Sequence, residues 1–281
     1  MSWCIIYLAS PRLFHIYNDP TQASRLEILQ GSLQTTRNLF PNIDILIFHE
    51  DYLEEDFQTL PEATQFICID FSGFESFTNP TLRRPYGYLM MCRFFSGVVQ
   101  SHAELQKYTH YMRLDDDSFF LEPFLTEAKV TELLKHDYVY RSTFIDSQDQ
   151  QSLYESTLTF LKKEGYGHTI PTLEKELEKR YFLKNGTYTG LAPYNNFHLA
   201  SQRLWQNPIV QRYIRHIEHE KGILRYGWMD ANIHAMIVYI LTLYCGMKIH
   251  HESWFGYRHN RHVSRFDSLA VDYVETLPFG L

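Results

Sequence analysis

Short apolar runs alternate with an amphipathic stretch over the first 70 residues of the chain. The runs WCIIYLAS, IDILIFHED and TQFICIDF are compact and end in polar or proline positions, as buried strands do. Between the first two runs, Leu26, Leu29 and Leu33 recur at helical spacing. Pro41 ends that pattern. Strand, helix and strand in this order predict the start of an α/β sheet with crossover connections.

The alternation of strands and helices continues through the rest of the chain. YLMMCRFFSGVVQSH indicates a helix, and THYMRL, DYVYRSTF and NFHLAS indicate strands. Residues 147–184 have a polar, helical pattern that leads to a turn at NGTYTG. We predict helices over 201–220 and 228–244, and a loop-rich, aromatic segment in the last forty residues. Because no repeat or linker interrupts the pattern, we expect a single domain over 1–281.

Composition and charge agree with a folded domain and argue against nucleic acid as a partner. Of the 281 residues, 44% are hydrophobic and 16% aromatic, which is ample for a core. The formal net charge is −7, and no run of lysine and arginine offers a basic patch. The four cysteines form no C-x-x-C pair, which argues against a zinc site. They are Cys4, Cys68, Cys92 and Cys245. Cys4 and Cys68 lie in apolar runs, which favours buried free thiols over disulfides.

Three consecutive carboxylates, Asp115–Asp117, follow the predicted strand THYMRL. Ligands of open α/β sheets lie outside the carboxyl ends of the strands, which is where this triplet falls. Alternate side chains of an extended stretch share a face, so Asp115 and Asp117 can bind one hard cation such as Mg²⁺ or Mn²⁺. The alternative on these residues alone is an acidic turn, in which Asp117 or Ser118 caps the next segment.

The sequence around the triplet resembles the fungal α-1,2-mannosyltransferase family, glycosyltransferase family 15. YLMMCRFFSGVVQSHAELQKYTHYMRLDDDSFF is similar to the family's core segment, with Asp-Asp-Asp where the family has Glu-Pro-Asp. YNNFHLASQRLW, RYGWMDANIHAMIVYIL and IHHESWFGYRHN match three further family stretches in the same order. Together they span Tyr86 to Asn260, and the combination is far more specific than the D-x-D motif alone.

The resemblance implies a fold, a reaction and partners. The expected fold is a single GT-A-type domain with a mixed, mostly parallel central sheet flanked by helices. Residues 1–120 would be its nucleotide-binding half and residues 121–281 its acceptor-side half. The expected reaction is the metal-dependent, retaining transfer of mannose from GDP-mannose to the hydroxyl of a glycan or glycoprotein. The cofactor would be Mn²⁺ or Mg²⁺, and we expect no nucleic acid partner.

The resemblance also assigns site residues. Asp115 and His259 would bind the metal, and Asp117 would lie near the metal or the donor ribose. For His259 the alternative is a loop histidine packed among aromatic side chains. Imidazole together with carboxylate suits Mn²⁺ better than Mg²⁺.

Three further positions have a functional and a structural interpretation. Arg93 can bind a donor phosphate bidentately or form a structural ion pair. Tyr88 matches a family tyrosine near the reacting sugar, with core packing as the alternative. Asp230 would orient the acceptor hydroxyl, or else act only at the start of its helix.

One position departs from the family. Where the family has a glutamate, proposed as the nucleophile, this chain has His198. Histidine is a poor nucleophile for an ester-type glycosyl intermediate, so we expect His198 near the donor sugar but not bonded to it. Retention would then proceed by front-face attack or with Asn195 or Asn196 supporting the cation.

Two other function classes and the location of the protein complete the expectations. A non-catalytic binder of glycans or nucleotide sugars is one alternative, and a metal-dependent phosphohydrolase is the other. The opening MSWCIIYLASPR lacks the features of a signal peptide, and no stretch approaches the roughly 20 apolar residues of a membrane span. We therefore expect a soluble or cytoplasmic protein, with a trimmed Golgi-lumen catalytic domain as the alternative.

Overall fold

The computed structural model describes residues 2–12, 14, 23–56, 63–82, 84–146 and 150–259. The strands of this part of the chain are β1 (Trp3–Leu8), β2 (Asp44–His49), β3 (Thr64–Cys68), β4 (His110–Leu114), β5 (Ser118–Leu121), β6 (Tyr138–Tyr140), β7 (Thr143–Ile145), β8 (Leu183–Lys184), β9 (Thr187–Tyr188), β10 (Leu191–Pro193), β11 (Phe197–Ser201), β12 (Ile249–His251) and β13 (Gly256–His259). The α-helices are α1 (Arg25–Leu39), α2 (Tyr86–Arg93), α3 (Glu127–Leu133), α4 (Gln151–Lys163), α5 (Ile170–Lys179), α6 (Gln202–Trp205), α7 (Pro208–Glu220), α8 (Gly222–Tyr226), α9 (Asp230–Met236) and α10 (Thr242–Cys245).

A seven-stranded sheet forms the centre of the fold. Its strand order is β12-β6-β11-β4-β1-β2-β3. Neighbouring strands are parallel except at β11, which runs antiparallel to both β4 and β6. Parallel strands are covered on both faces, which explains why they appear in the sequence as continuous apolar runs. The predicted α/β fold with a mixed, mostly parallel sheet is confirmed.

Helices cover both faces of this sheet. Cys4 and Ile6 of β1 pack in a core that includes side chains of α2, α4, α7 and α9. Ile5 and Tyr7 pack in a second core with side chains of α1 and α3. Because successive side chains of a strand point to opposite faces, the two cores lie on the two sides of the sheet.

The helices differ in detail from the sequence pattern. The predicted helix over 201–220 is two helices, because Asn207 caps a new helix at Pro208. The helices predicted after Tyr86 and Trp228 both change to π-helical geometry part-way, at Phe94–Val98 and Ile237–Leu241. Apolar spacing alone does not distinguish these geometries, since apolar side chains are buried in both of them.

The described part of the last forty residues contains two strands, β12 and β13, where a loop-rich segment was predicted. β12 extends the central sheet beside β6, and β13 pairs with β5. Both partners are more than a hundred residues earlier in the chain, so no local pattern indicates the pairing.

A helix needs about 20 mostly apolar residues to cross a bilayer. Within the described ranges, no helix combines the length and the apolar character needed to cross a membrane.

Candidate active site

The acidic triplet forms the turn between β4 and β5. The Ser118 amide donates to the Asp115 carbonyl at 3.1 Å, which closes this turn. Asp116 and Asp117 are buried, whereas 26% of the Asp115 side chain remains exposed. The triplet therefore lies at the carboxyl end of a central strand, with Asp115 at the surface of the site and the other two carboxylates behind it.

His259 reaches the triplet because β13 pairs with β5. In this antiparallel ladder His259 lies opposite Ser118, and Gly256 lies opposite Leu121. A Cβ atom at Gly256 would approach the backbone oxygen of Glu122 to 2.5 Å and that of Leu121 to 2.7 Å. Only glycine allows the two backbones to come this close, so Gly256 helps to fix the register that places His259.

The imidazole of His259 lies between two carboxylates. Its Nε2 is 2.9 Å from Asp117 Oδ1 and 3.3 Å from Asp115 Oδ2, and its Nδ1 is 3.0 Å from the Tyr194 hydroxyl. Burial disfavours charge on His259, but the two carboxylates outweigh it and raise the pKa of His259 well above its ordinary value. Burial likewise opposes the charge of Asp115, yet Arg113 and His259 lower its pKa. His259 is thus a half-buried imidazole between two carboxylates, which favour its protonated form.

Arg25, the first residue of α1, compensates the inner carboxylates. Its Nη2 lies 2.6 Å from Asp116 Oδ1, and its Nη1 lies 3.2 Å from Asp117 Oδ2. The amide of Ser10 also donates to Asp116 at 3.2 Å. Burial raises the pKa of Asp116, although Arg25 acts in the opposite direction. The sequence analysis missed Arg25, because no spacing or motif links the start of α1 to a turn 90 residues later.

Arg113 on β4 joins the triplet to the start of α9. Its Nε and Nη2 donate to Asp115 Oδ1 at 3.1 and 3.0 Å, and its Nη1 donates to Asp230 Oδ2 at 2.7 Å. Asn195 Nδ2 donates to the same Asp230 oxygen at 2.9 Å. The guanidinium also stacks on Phe95, 3.4 Å from the ring centroid. The sequence carried a signal for the contact between Arg113 and Asp115, because residues 113 and 115 of an extended stretch share a face.

Of the two predicted residues on α2, one lies near Asp230 and one does not. Tyr88 is partly buried, and its hydroxyl lies 3.8 Å from the sulfur of Met229, the residue before Asp230. Burial is the main cause that raises the pKa of Tyr88, so it stays a neutral phenol. Arg93 pairs with Glu218 at 3.0 Å and stacks on Phe74, at the far end of the helix. Arg93 therefore forms the structural ion pair that was its alternative, and its contact with a donor phosphate stays a prediction.

His198 lies in the core beneath the site. It is fully buried on β11 and sits opposite Arg113 in the strand register. Its Nδ1 is 3.1 Å from the Asn195 carbonyl, its Nε2 is 3.3 Å from the Tyr111 hydroxyl, and its ring stacks on Tyr138. Protein atoms enclose the ring, which agrees with a residue that does not bond to the donor, and the expectation that His198 lies near the donor sugar stays a prediction.

Three side chains fit a single divalent ion. Ligands bound at right angles about 2.1 Å from an octahedral ion lie about 3 Å apart, close to the spacing of His259 Nε2 from the oxygens of Asp115 and Asp117. Carboxylate with imidazole is a donor set that suits Mn²⁺. In the structure these atoms pair with one another, and no described set of His, Cys, Asp and Glu forms a ready metal cluster. An ion would bind here when it displaces the His259 proton.

Comparison with known proteins decides the family. The model of the glycolipid 2-alpha-mannosyltransferase family matches residues 82–272. The chain belongs to this family. It is therefore a member of a mannosyltransferase family, as its sequence motifs predicted. The glycolipid 2-alpha-mannosyltransferase of Saccharomyces cerevisiae is 26% identical over 178 residues, which are 61% of this chain and 38% of that protein. The chain spans less than half the length of the curated relatives that it matches.

Solved structures of mannosyltransferases share the fold of this family member. Core-mannan synthase A from Aspergillus fumigatus, solved in a Mn/GDP form, superposes with a TM-score of 0.65 at 15% identity. The match covers 92% of this chain and 74% of that one. Mannosyltransferase Ktr4p from S. cerevisiae in complex with GDP gives a TM-score of 0.65 at 15% identity, over 92% of this chain and 71% of that one. At these identities the likeness establishes the GT-A-like fold.

Proposed function

We propose that this protein is a metal-dependent, retaining mannosyltransferase that moves mannose from GDP-mannose to the hydroxyl of a glycan. The observation that carries the proposal is the meeting of Asp115, Asp117 and His259 at the carboxyl end of β4. Family membership supports the sugar, and the Mn/GDP and GDP forms of the two fungal structures support the donor. The acceptor would be a sugar hydroxyl of a glycan or glycoprotein.

Asp115, Asp117 and His259 would hold Mn²⁺ or Mg²⁺ against the donor diphosphate. The bound ion would offset the negative charge that grows on the diphosphate as the sugar departs. Arg25 and Arg113 keep the two carboxylates in place, because each guanidinium binds one of them. The carboxylate of Asp115 is partly exposed, so a ligand would reach the site at this side chain.

We propose that retention occurs by front-face attack. The bond from the anomeric carbon to the diphosphate breaks, and the acceptor oxygen bonds to that carbon on the same face. The acceptor proton passes to the leaving phosphate oxygen. His198 is enclosed, and both ring nitrogens are engaged, so it does not form a covalent intermediate. Asp230 orients the acceptor hydroxyl, and Tyr88 lines the same side of the site.

A donor screen followed by a transfer assay tests the proposal. Melting temperature is measured with GDP, GDP-mannose and several UDP-sugars, each with and without Mn²⁺, because a ligand of the native state raises stability. We expect the largest shift for GDP-mannose with Mn²⁺. Transfer to α-mannoside acceptors is then followed by NMR, which reports the anomeric configuration of the product.

Each failure of this experiment has a distinct meaning. A larger shift with a UDP-sugar would show that GDP-mannose is not the preferred donor. A β-linked product would overturn retention. A shift without turnover on any mannoside would favour the second candidate, a non-catalytic nucleotide-sugar binder. The absence of a carboxylate at position 198 is the observation that favours that candidate.

A further inference from the structure

Two buried histidines lie under the pair formed by Arg113 and Asp230. His198 on β11 and His234 on α9 are both fully enclosed, with ring centroids 5.2 Å apart. The ring of Tyr138 contacts both of them, stacked on His198 and edge-on to His234. This group of three rings lies in the core, one layer away from the surface of the site.

The hydrogen bonds of these rings define a single tautomer for each histidine. His198 Nδ1 lies 3.1 Å from the Asn195 carbonyl, which can only accept, so Nδ1 carries the proton. Its Nε2 then accepts from the Tyr111 hydroxyl at 3.3 Å. His234 is the reverse, because its Nε2 lies 2.9 Å from the Phe95 carbonyl and its Nδ1 accepts from Tyr138 at 2.9 Å. All four ring nitrogens are therefore used.

Each of the two carbonyls belongs to a residue whose side chain contacts the ion pair of Arg113 and Asp230. Asn195 donates its side-chain amide to Asp230 Oδ2 at 2.9 Å. Phe95 places its ring 3.4 Å from the Arg113 guanidinium. His198 thus holds the backbone of Asn195, whose side chain binds the Asp230 carboxylate. His234 holds the backbone of Phe95, whose ring stacks on the Arg113 guanidinium. Burial lowers the pKa of both histidines, which agrees with two neutral rings.

We propose that His198 and His234 are positioning residues, one protonated at Nδ1 and the other at Nε2, which hold Asn195 and Phe95 so that Arg113 and Asp230 keep their geometry. This proposal rests on the proposed function for its kinetic part. Under this proposal, His198 acts by holding the backbone of Asn195 and does not itself touch the sugar.

The test uses the different shapes of asparagine and glutamine. An asparagine amide can reproduce a donor at Nδ1, and a glutamine amide can reproduce a donor at Nε2. We therefore expect a crossed pattern of rescue. His198→Asn should keep near wild-type kcat and His198→Gln should not, whereas His234→Gln should keep it and His234→Asn should not. The poor variants should lose about 10–100-fold in kcat, as for other supporting hydrogen bonds, with KM for the donor within about twofold.

A readout without turnover separates this proposal from the proposed function. ¹⁵N-edited NMR of the metal-free protein reports the protonated nitrogen of each histidine and the Nε–H signal of Arg113. We expect His198 protonated at Nδ1, His234 at Nε2, and an Arg113 signal that shifts in His198→Gln but not in His198→Asn. If the wild type catalyses no transfer but these signals agree, the proposed function fails and the positioning role stands.

Tyr111→Phe is the matched control, because it removes the other hydrogen bond of His198 and leaves Asn195 untouched. It should alter kcat by less than about threefold. Reversed tautomers, equal kcat for the asparagine and glutamine variants at either position, or an Arg113 signal unchanged in His198→Gln would overturn the proposal.

Discussion

Arg113 Nη1 lies 2.7 Å from Asp230 Oδ2, and both side chains are buried. The same guanidinium binds Asp115, so one cation holds a carboxylate of the proposed metal site and a carboxylate of the proposed acceptor side. These carboxylates lie 115 residues apart in the chain but are linked through a single planar group. A change on one side of the site should therefore affect the other.

The first prediction compares the two partners of this ion pair. Arg113→Met leaves Asp230 buried without its cation and should lower the free energy of unfolding by about 3–5 kcal/mol. Asp230→Asn should be milder, because Arg113 keeps Asp115. It should nevertheless reduce transfer about 10²–10⁴-fold, as for loss of a group that positions the acceptor hydroxyl, with donor affinity nearly unchanged. Urea unfolding and steady-state kinetics measure both effects. Normal transfer by Asp230→Asn, or a parallel loss of donor affinity, would show that Asp230 only supports the fold.

The second prediction concerns metal removal. Excess chelator should abolish transfer, and Mn²⁺ should restore it, because Asp115, Asp117 and His259 converge on one point. Asp115→Asn and His259→Ala should each weaken Mn²⁺ binding at least 10-fold, measured by titration calorimetry. His250→Ala is a control outside the cluster, since His250 lies on β12 beside His136. Full turnover in chelator would contradict the metal assignment, as would unaltered Mn²⁺ binding by both site variants.

The third prediction follows from the raised pKa of His259. A folded pKa above the unfolded value of about 6.5 means that the folded state binds the proton more tightly. The stabilisation is fully present below pH 6.5 and is lost as pH rises through the folded pKa. In metal-free protein, the difference in unfolding free energy between wild type and His259→Gln should be largest near pH 6 and should shrink at alkaline pH. A difference that grows with pH would contradict this sign.

The same proton should compete with the metal. Because Mn²⁺ needs the neutral imidazole, its apparent affinity should increase with pH and its binding should release a proton. Calorimetry in buffers of different ionisation enthalpy measures that release. His259→Gln should release fewer protons than the wild type when Mn²⁺ binds. Equal release by both proteins would show that the proton does not come from His259.

The fourth prediction concerns Arg25. Arg25→Met leaves the buried Asp116 without its cation, whereas Asp117 keeps His259, so the free energy of unfolding should fall by about 3–5 kcal/mol. Adding Asp116→Asn removes that charge and should recover part of the loss. A double-mutant cycle by urea unfolding gives the coupling free energy. Strictly additive losses would show that Arg25 and Asp116 do not interact in solution.

The sheet could be predicted from the sequence because its inner parallel strands β1, β2 and β4 are buried on both faces. Continuous apolar runs such as that of β1 carry this information locally, and the triplet could be placed because it follows one of them. The changes to π-helical geometry after α2 and α9 could not be predicted, since they leave the apolar face intact. The pairing of β13 with β5 was also hidden, because each strand is short and its partner is remote.

The site was predictable where a motif marked it and not where contacts join distant segments. The acidic triplet and His259 were both found, and the structure brings them together. Arg25 was missed, and Glu218 was not identified as the ion-pair partner of Arg93, because no sequence signal links either contact. The motif placed His198 near the donor sugar but gave no sign that its ring is fully buried on β11, opposite Arg113.

Because β5 and β13 approach closely at Gly256, the position of His259 depends on the number of residues that precede it in the chain. Because each residue of β13 has a fixed partner on β5, one residue gained before Gly256 would move the glycine away from Leu121 and present Arg258 where the imidazole now lies. A guanidinium there would leave the two carboxylates paired with a permanent cation and closed to a metal. Changes of length between β12 and β13 should thus be more damaging than most changes of residue type at the exposed positions of this connection, Ser253 and Trp254.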